Sequence, residues 1–179
     1  LVHRYFDLLD QPQKKHIIAR TNGYHGSTIA SASLGGMKGM HDQMQRLPYV
    51  HHVDQPYHFP HQGKQTPEET GQQAAQSLAD KIDNLGPENV AAFIAEPIQG
   101  AGGVIIPPDN YWPQVAEICR SRDVLLISDE VICGFGRTGQ WWGCQTYGFE
   151  PDLITFAKAV TNGYQSLGGV AVSDRIAQV

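Results

Sequence analysis

Short apolar runs alternate along this chain with stretches that have helical periodicity. The apolar runs have the length of strands buried on both faces, and they lie at 16–20, 89–97, 124–131, 152–158 and, as a shorter run, 169–173. Amphipathic helices are predicted between them, at about 2–9, 28–34, 66–85 and 110–122. Strands that alternate with helices favour right-handed crossovers. The pattern therefore predicts an α/β fold, a mostly parallel sheet with helices on both faces.

The start of the third helix and a long irregular segment before it are the clearest local features. Thr66, Pro67 and Glu69 are typical of an N-cap, a first helical position and the third position of a capping box. Gly86 and Pro87 end the helix. From 35 to 63 no periodicity persists, so a long irregular loop is predicted, and it carries His41, His51, His52, His58 and His61.

Composition excludes several classes of function. The length of 179 residues fits about one domain, and 13 Lys+Arg against 18 Asp+Glu give no basic surface for nucleic acid. No signal peptide and no apolar run long enough for a membrane helix is present, so no membrane partner is expected. The 3 cysteines fit reduced thiols, which predicts a cytoplasmic protein.

Both ends of the sequence read as the interior of a longer chain. Residues 1–9 read as the tail of a helix, with Val2, Phe6 and Leu9 on one face. Ser173 is a plausible N-cap for a helix that runs only to Val179. We therefore expect residues 1–179 to be an internal piece of a longer protein.

Polar groups collect where the predicted strands end. Tyr24 and His25, Glu96, Asp129 and Lys158 each lie at or just past the carboxyl end of a different strand. Open parallel sheets bind ligands at this edge. Taken alone, a strand-end lysine is usually solvated and an acid often caps a helix. Together, these groups would suit a flat cationic heterocycle that carries a carbonyl.

Alternation of side chains adds a detail to this edge. If the strand continues to Val131, then Asp129 and Val131 face one way and Glu130 the other. A carboxylate for a ring nitrogen and an aliphatic floor for the ring would then share one surface, with Tyr24 as an aromatic roof.

Four segments together resemble one enzyme family: NGYHGST, AEPIQGAGG, LLISDEVICGFGRTG and ITFAKAVTNGYQSLGG. They are similar to the class III pyridoxal-phosphate-dependent aminotransferases, in the branch of the ω-amino acid and amine:pyruvate transaminases. The resemblance covers the whole chain. It implies the large domain of fold type I, of which residues 1–179 would be a part, with an N-terminal segment and a C-terminal small domain absent.

The resemblance also implies the two catalytic residues. Lys158 matches the lysine that holds pyridoxal 5'-phosphate as an imine and then acts as general base. Asp129 matches the acid beside the pyridine nitrogen, where its charge favours the protonated ring as an electron sink. The reaction implied is transfer of an amino group from an amine, diamine or ω-amino acid to a keto acid, with pyruvate as the expected acceptor.

Further cofactor contacts follow by the same resemblance. Tyr24 matches the aromatic stacked on one face of the ring, Val131 the contact under the other, and His25 the neighbour of the aromatic. Glu96 matches a second acid of the pocket. Ile132 stands where ornithine-type members have Gln, which favours the amine:pyruvate branch.

The resemblance implies that the site is shared beyond this chain. Part of the phosphate site and the substrate-carboxylate arginine are expected outside residues 1–179, and a homodimer is expected for the full protein. Residues 1–179 alone would then bind the cofactor weakly. The partners expected are small molecules, an amine donor and a keto-acid acceptor.

Other interpretations remain open at this point. An aminomutase of the same fold would use the same lysine and acid. A metal-binding module could use the histidines of 51–61, although their spacing is irregular. Gly134, Gly136 and Gly139 fit a nucleotide-loop pattern by letter, but Trp141 and Trp142 follow instead of a helix.

Overall fold

A computed structural model, which describes residues 1–179, contains one six-stranded sheet. Its strands are β1 His16–Arg20, β2 Val50–Val53, β3 Val90–Ala95, β4 Leu125–Asp129, β5 Leu153–Phe156 and β6 Gly169–Val172. The order across the sheet is β2-β1-β3-β4-β5-β6, and every neighbouring pair is parallel except β5 and β6. The predicted mostly parallel α/β sheet is confirmed.

Helices cover both faces of this sheet. They are α1 Val2–Leu8, α2 Ile29–Leu34, α3 Lys38–His41, α4 Pro67–Leu85, α5 Tyr111–Ser121, α6 Gly143–Thr146 and α7 Asp174–Ala177. On one face, α4 and α5 bury Leu78 and Trp112 against the sheet. On the other, α1 buries Phe6, which is 0% exposed. Full burial of such a side chain contributes about 1.5–3 kcal/mol, so two separate cores hold the strands in place.

The start of α4 has the predicted capping box. Thr66 Oγ1 accepts a hydrogen bond from the Glu69 backbone N at 3.1 Å, and the Thr66 backbone N donates to Glu69 Oε2 at 2.8 Å. Pro67 occupies the first helical position. The helix ends at Gly86, whose φ of 82° favours glycine. Both predicted boundaries of this helix are confirmed.

Removal of the Thr66 cap tests its contribution to stability. We expect Thr66→Ala to lower the free energy of unfolding of the complete protein by about 1 kcal/mol, because a backbone N–H loses its acceptor. The measurement is denaturant unfolding. Ser173→Ala is the matched control, since Ser173 is the N-cap of α7 but makes no side-chain capping bond. Equal losses in the two variants would contradict the role of Thr66.

The prediction of an irregular loop from 35 to 63 is wrong in part. The segment contains α3 and the edge strand β2, whose residues 50–53 pair with 17–20 of β1. Two adjacent histidines interrupt the apolar pattern of β2, so no strand signal was visible. His51 Nε2 lies 2.9 Å from His16 Nδ1 on β1, while His52 Nε2 donates to the carbonyl of Gly35 at 2.8 Å. None of the helices is long and apolar enough to cross a membrane.

Candidate active site

The loops that follow β1 and β4 meet at the carboxyl edge of the sheet. His25 Nδ1 donates to Asp129 Oδ2 at 2.7 Å, and the exposed fractions of the two side chains are 3% and 6%. Asp129 is the last residue of β4, and His25 lies five residues past the end of β1. A charge-assisted bond of this length orients the carboxylate within a site that excludes most water. The predicted convergence of these two residues is confirmed.

The surroundings of Asp129 differ from the predicted alternation in one respect. The strand ends at Asp129, so Val131 lies in the turn that follows and the alternation of a strand does not apply to it. The Val131 backbone N donates to Asp129 Oδ1 at 3.2 Å. Val131 therefore helps to orient the acid through its main chain, and its predicted contact under the cofactor ring stays a prediction.

Glu96 joins the loop after β1 to the turn after β3. Its side chain is buried, and its two carboxylate oxygens accept bonds from the backbone N of Tyr24 at 3.0 Å and of Gly100 at 2.8 Å. The same loops are in contact at Gly102, where any Cβ would overlap the carbonyl oxygen of Asn22. The structure thus brings Tyr24 and Glu96 together, as the sequence predicted.

Lys158 lies at the same edge, beyond the end of β5. Residue 129 of β4 is paired with residue 155 of β5, so Lys158 follows three positions after the strand residue that is level with Asp129. Its side chain is exposed and makes no hydrogen bond or ion pair. Its φ of 49° is left-handed, an uncommon conformation for a residue other than glycine, which is often found at functional sites.

Sequence reasoning missed the buried charges that support this edge. Arg20, the last residue of β1, is 1% exposed and its Nη2 donates to the carbonyl of Glu96. Glu130 is 0% exposed, and its carboxylate accepts from the backbone N atoms of Gly143 at 2.7 Å and Cys144 at 2.8 Å. Two signals for them were available in the sequence: Arg20 ends an apolar strand, and Glu130 is the second acid of an Asp-Glu pair.

The thiols near the site are buried and poorly placed for nucleophilic chemistry. All three cysteines are free and buried. Burial raises the pKa of Cys133 to about 11 and that of Cys144 to about 12, so both stay protonated near neutral pH.

The histidines that a metal-binding module would use do not converge. Their hydrogen-bond partners differ. His58 Nδ1 lies 3.0 Å from Thr70 Oγ1, whereas His51 bonds to His16 and His52 to the carbonyl of Gly35. Burial lowers the pKa of both His51 and His52. No group of three or more His, Cys, Asp or Glu is arranged to hold a metal ion. The geometry therefore gives no support to the metal-binding interpretation.

The residues fit the aromatic cofactor that the sequence predicted. Asp129 uses its two oxygens for one hydrogen bond each, and a carboxylate has about four lone-pair sites. It can therefore still accept an N–H from a ring nitrogen. The unpaired amine of Lys158 is available for a carbonyl group, and the half-buried Tyr24 supplies an aromatic face on the adjoining loop.

Comparison with known proteins agrees with this chemistry. A family model described as Aminotransferase class-III matches residues 1–179. The chain is 56% identical over 180 residues to a putrescine–pyruvate aminotransferase of Pseudomonas aeruginosa, covering 100% of this chain and 40% of that protein. It is 46% identical to a diaminobutyrate–2-oxoglutarate transaminase of Halomonas elongata, of which it covers 39%.

Solved structures show the same fold. An (S)-enantioselective ω-transaminase from Thermomicrobium roseum superposes with a TM-score of 0.95 at 44% identity, over 99% of this chain and 40% of that one. The ω-transaminase of Pseudomonas jessenii in complex with PMP gives a TM-score of 0.95 at 42% identity, with the same coverage of 99% and 40%. The chain thus spans about 40% of the length of these relatives.

Proposed function

The chain belongs to the class III aminotransferases, and from this premise we propose that it is part of an enzyme that moves an amino group from an amine to a keto acid. The observation that carries the proposal is the buried Asp129, held by His25 at the sheet edge where Lys158 presents an unpaired amine. Within the longer enzyme, residues 1–179 would form part of the large cofactor-binding domain.

Pyridoxal 5'-phosphate is the cofactor of this family, and when bound it supplies an electron sink for the carbon that loses a proton. Lys158 would hold it covalently through its amine. Asp129 would accept the N–H of the ring nitrogen, and Tyr24 would cover one face of the ring. We propose Val131 and His25 as the other contacts of this pocket, with Glu96 as a second acid that supports its loops.

Each of these side chains has a task that follows from its place. The amine of Lys158 is exposed, so it can react with a carbonyl and, once free, take and return a proton. Asp129 would place its carboxylate beside the ring nitrogen, which would favour the protonated form of that nitrogen. His25 fixes the carboxylate through its 2.7 Å bond and leaves its own Nε2 buried without a partner.

The substrates follow from the relatives. The names of the putrescine–pyruvate and the diaminobutyrate–2-oxoglutarate transaminase each include a compound with two amino groups. We therefore propose an amine, diamine or ω-amino acid as donor and a keto acid, pyruvate in particular, as acceptor. We further propose a cytoplasmic homodimer.

Chemical labelling of the complete protein tests the proposal. The protein is incubated with pyridoxal 5'-phosphate, reduced with borohydride and digested, and the labelled peptide is identified by mass spectrometry. We expect a pyridoxyl group on Lys158 and formation of alanine from pyruvate when an amine donor is added. A label on another lysine would contradict the site, and label without free alanine would indicate an aminomutase.

A further inference from the structure

The turn that follows β3 is held by side chains that the proposed chemistry does not use. The carbonyl of Glu96 accepts from Arg20 Nη2, and the carbonyl of Pro97 accepts from Trp112 Nε1 at 3.0 Å. The carboxylate of Glu96 closes the turn by accepting from the backbone N of Gly100. Because these bonds come from β1, α5 and the turn itself, the position of Glu96 is fixed relative to the sheet.

Arg20 is an unusual support for this turn. Its side chain is almost completely buried, and no carboxylate pairs with it. Its guanidinium carbon lies 5.4 Å from the centroid of a Trp112 ring and 5.7 Å from that of the Tyr111 ring, and its Nε and Nη1 have no hydrogen-bond partner. Burial of an unpaired charge is costly, and contact with aromatic faces offsets only part of that cost. Its one hydrogen bond goes to Glu96.

Glu96 transmits this position to the loop after β1. Glu96 Oε1 accepts from the backbone N of Tyr24 at 3.0 Å, four residues past Arg20. Arg20 and Tyr24 are thus tied to opposite sides of one residue, through its carbonyl and its carboxylate. The backbone of Tyr24 cannot move away from β3 unless one of these bonds is lost.

We propose that Arg20 and Glu96 are positioning residues that set the place of the Tyr24 ring over the cofactor pocket, without touching the cofactor themselves. The two oxygens of Glu96 accept main-chain N–H groups from the loop after β1 and from the turn after β3, so its carboxylate joins these two segments. The inference rests on the proposed function and adds Arg20 to the residues that the function needs.

A double-mutant cycle in the complete protein separates this role from a general loss of stability. The variants are Glu96→Gln, Tyr24→Leu and the double variant, and the quantity measured is the dissociation constant of pyridoxal 5'-phosphate. Glutamine has one acceptor oxygen, so a main-chain N–H loses its partner and we expect about tenfold weaker binding, as for loss of a charged hydrogen bond. We expect the double variant to bind no more weakly than Tyr24→Leu alone, since both act through the same ring. If the two single effects multiplied in the double variant, to about a hundredfold weaker cofactor binding, the proposal would be overturned.

Lys14 supplies the matched control for Arg20. It is also a buried cation, 4% exposed, and its Nζ donates to the carbonyls of Pro87, Val90 and Asp123 at the amino-terminal ends of the strands, opposite the site loops. The unfolding temperatures of Arg20→Met and Lys14→Met are measured beside cofactor binding, so that a change in stability is seen separately. Only Arg20→Met should weaken cofactor binding and reduce the visible circular dichroism of the bound cofactor. Equal weakening in both variants would overturn the role of Arg20.

The label at Lys158 is measured on the same samples, so the two proposals fail differently. If the losses of binding free energy added in the double variant and the label was still on Lys158, only the positioning role would be overturned. Failure of the unmutated protein to bind the cofactor would contradict the proposed function, and the positioning role with it.

Discussion

Replacement of Lys158 by alanine is expected to abolish the covalent attachment of pyridoxal 5'-phosphate and to lower the transamination rate of the complete protein by about 10⁴-fold. The amine of Lys158 is the unpaired nucleophile at the sheet edge that also carries Asp129. Without it, neither attachment nor proton transfer has a positioned group. The measurements are the borohydride label and the rate of alanine formation from pyruvate.

The structure predicts that this loss is chemical rather than structural. The Lys158 side chain is exposed and makes no hydrogen bond, so its removal should leave the unfolding temperature within about 2 °C of the original. Lys38→Ala is the control, because Lys38 is also exposed and without a partner, on α3. Added methylamine should restore part of the proton transfer in Lys158→Ala. Retention of near-normal activity by Lys158→Ala would refute its assignment.

Most of the strand layout was predictable because buried strands are continuous apolar runs. The range predicted for β1, 16–20, agrees with the structure, and α4 was bounded by side chains whose bonds are local. The edge strand β2 was not predictable in the same way. Its side chains His51 and His52 are satisfied by a neighbouring strand and by the carbonyl of Gly35, contacts that no pattern within Val50–Val53 reveals.

The same distinction between predictable strands and unpredictable partners applies to the candidate site. The sheet topology alone brings Asp129 and Lys158 to one edge, so the order of strands and acids in the sequence was enough to predict it. The partners of these residues depend on loops. The bond between His25 and Asp129 joins positions 104 residues apart, and the bond between Arg20 and Glu96 joins positions 76 apart. Contacts of this range are fixed by packing, and residue types give no direct signal for them.

The strand that carries Asp129 is shorter than predicted. The apolar letters from 124 to 131 predict a strand that includes Val131, but the pairing with β5 ends at Asp129, and the Glu130 backbone N makes a 2.8 Å bond to the carbonyl of Thr155. Glu130 turns into the protein to accept the N–H groups of Gly143 and Cys144, which are the first residues of α6. An acid at a helix N-terminus satisfies groups that would otherwise be unpaired, and this ends the strand.

Asp129→Asn is the second change for which we expect a large effect, about 10²–10³-fold on the half-reaction with the amine donor. Asparagine keeps the shape of the side chain and can still accept one of the bonds from His25 or Val131, but it carries no negative charge. The protonated form of the ring nitrogen is then less favoured, so the substrate carbon loses its proton less readily. Attachment of the cofactor to Lys158 depends on the lysine amine and should be much less affected.

Glu130→Gln separates the charge beside the ring from the effect of disturbing a buried acid. Glu130 neighbours Asp129 and is fully buried, but its bonds go to the start of α6. Its replacement leaves a main-chain N–H without an acceptor and should cost about 1–3 kcal/mol of stability. Stopped-flow absorbance of the bound cofactor should show a slow donor half-reaction in Asp129→Asn and a nearly normal one in Glu130→Gln. Equal slowing of attachment and half-reaction in Asp129→Asn would mean that Asp129 acts by holding the pocket together, and not by its charge.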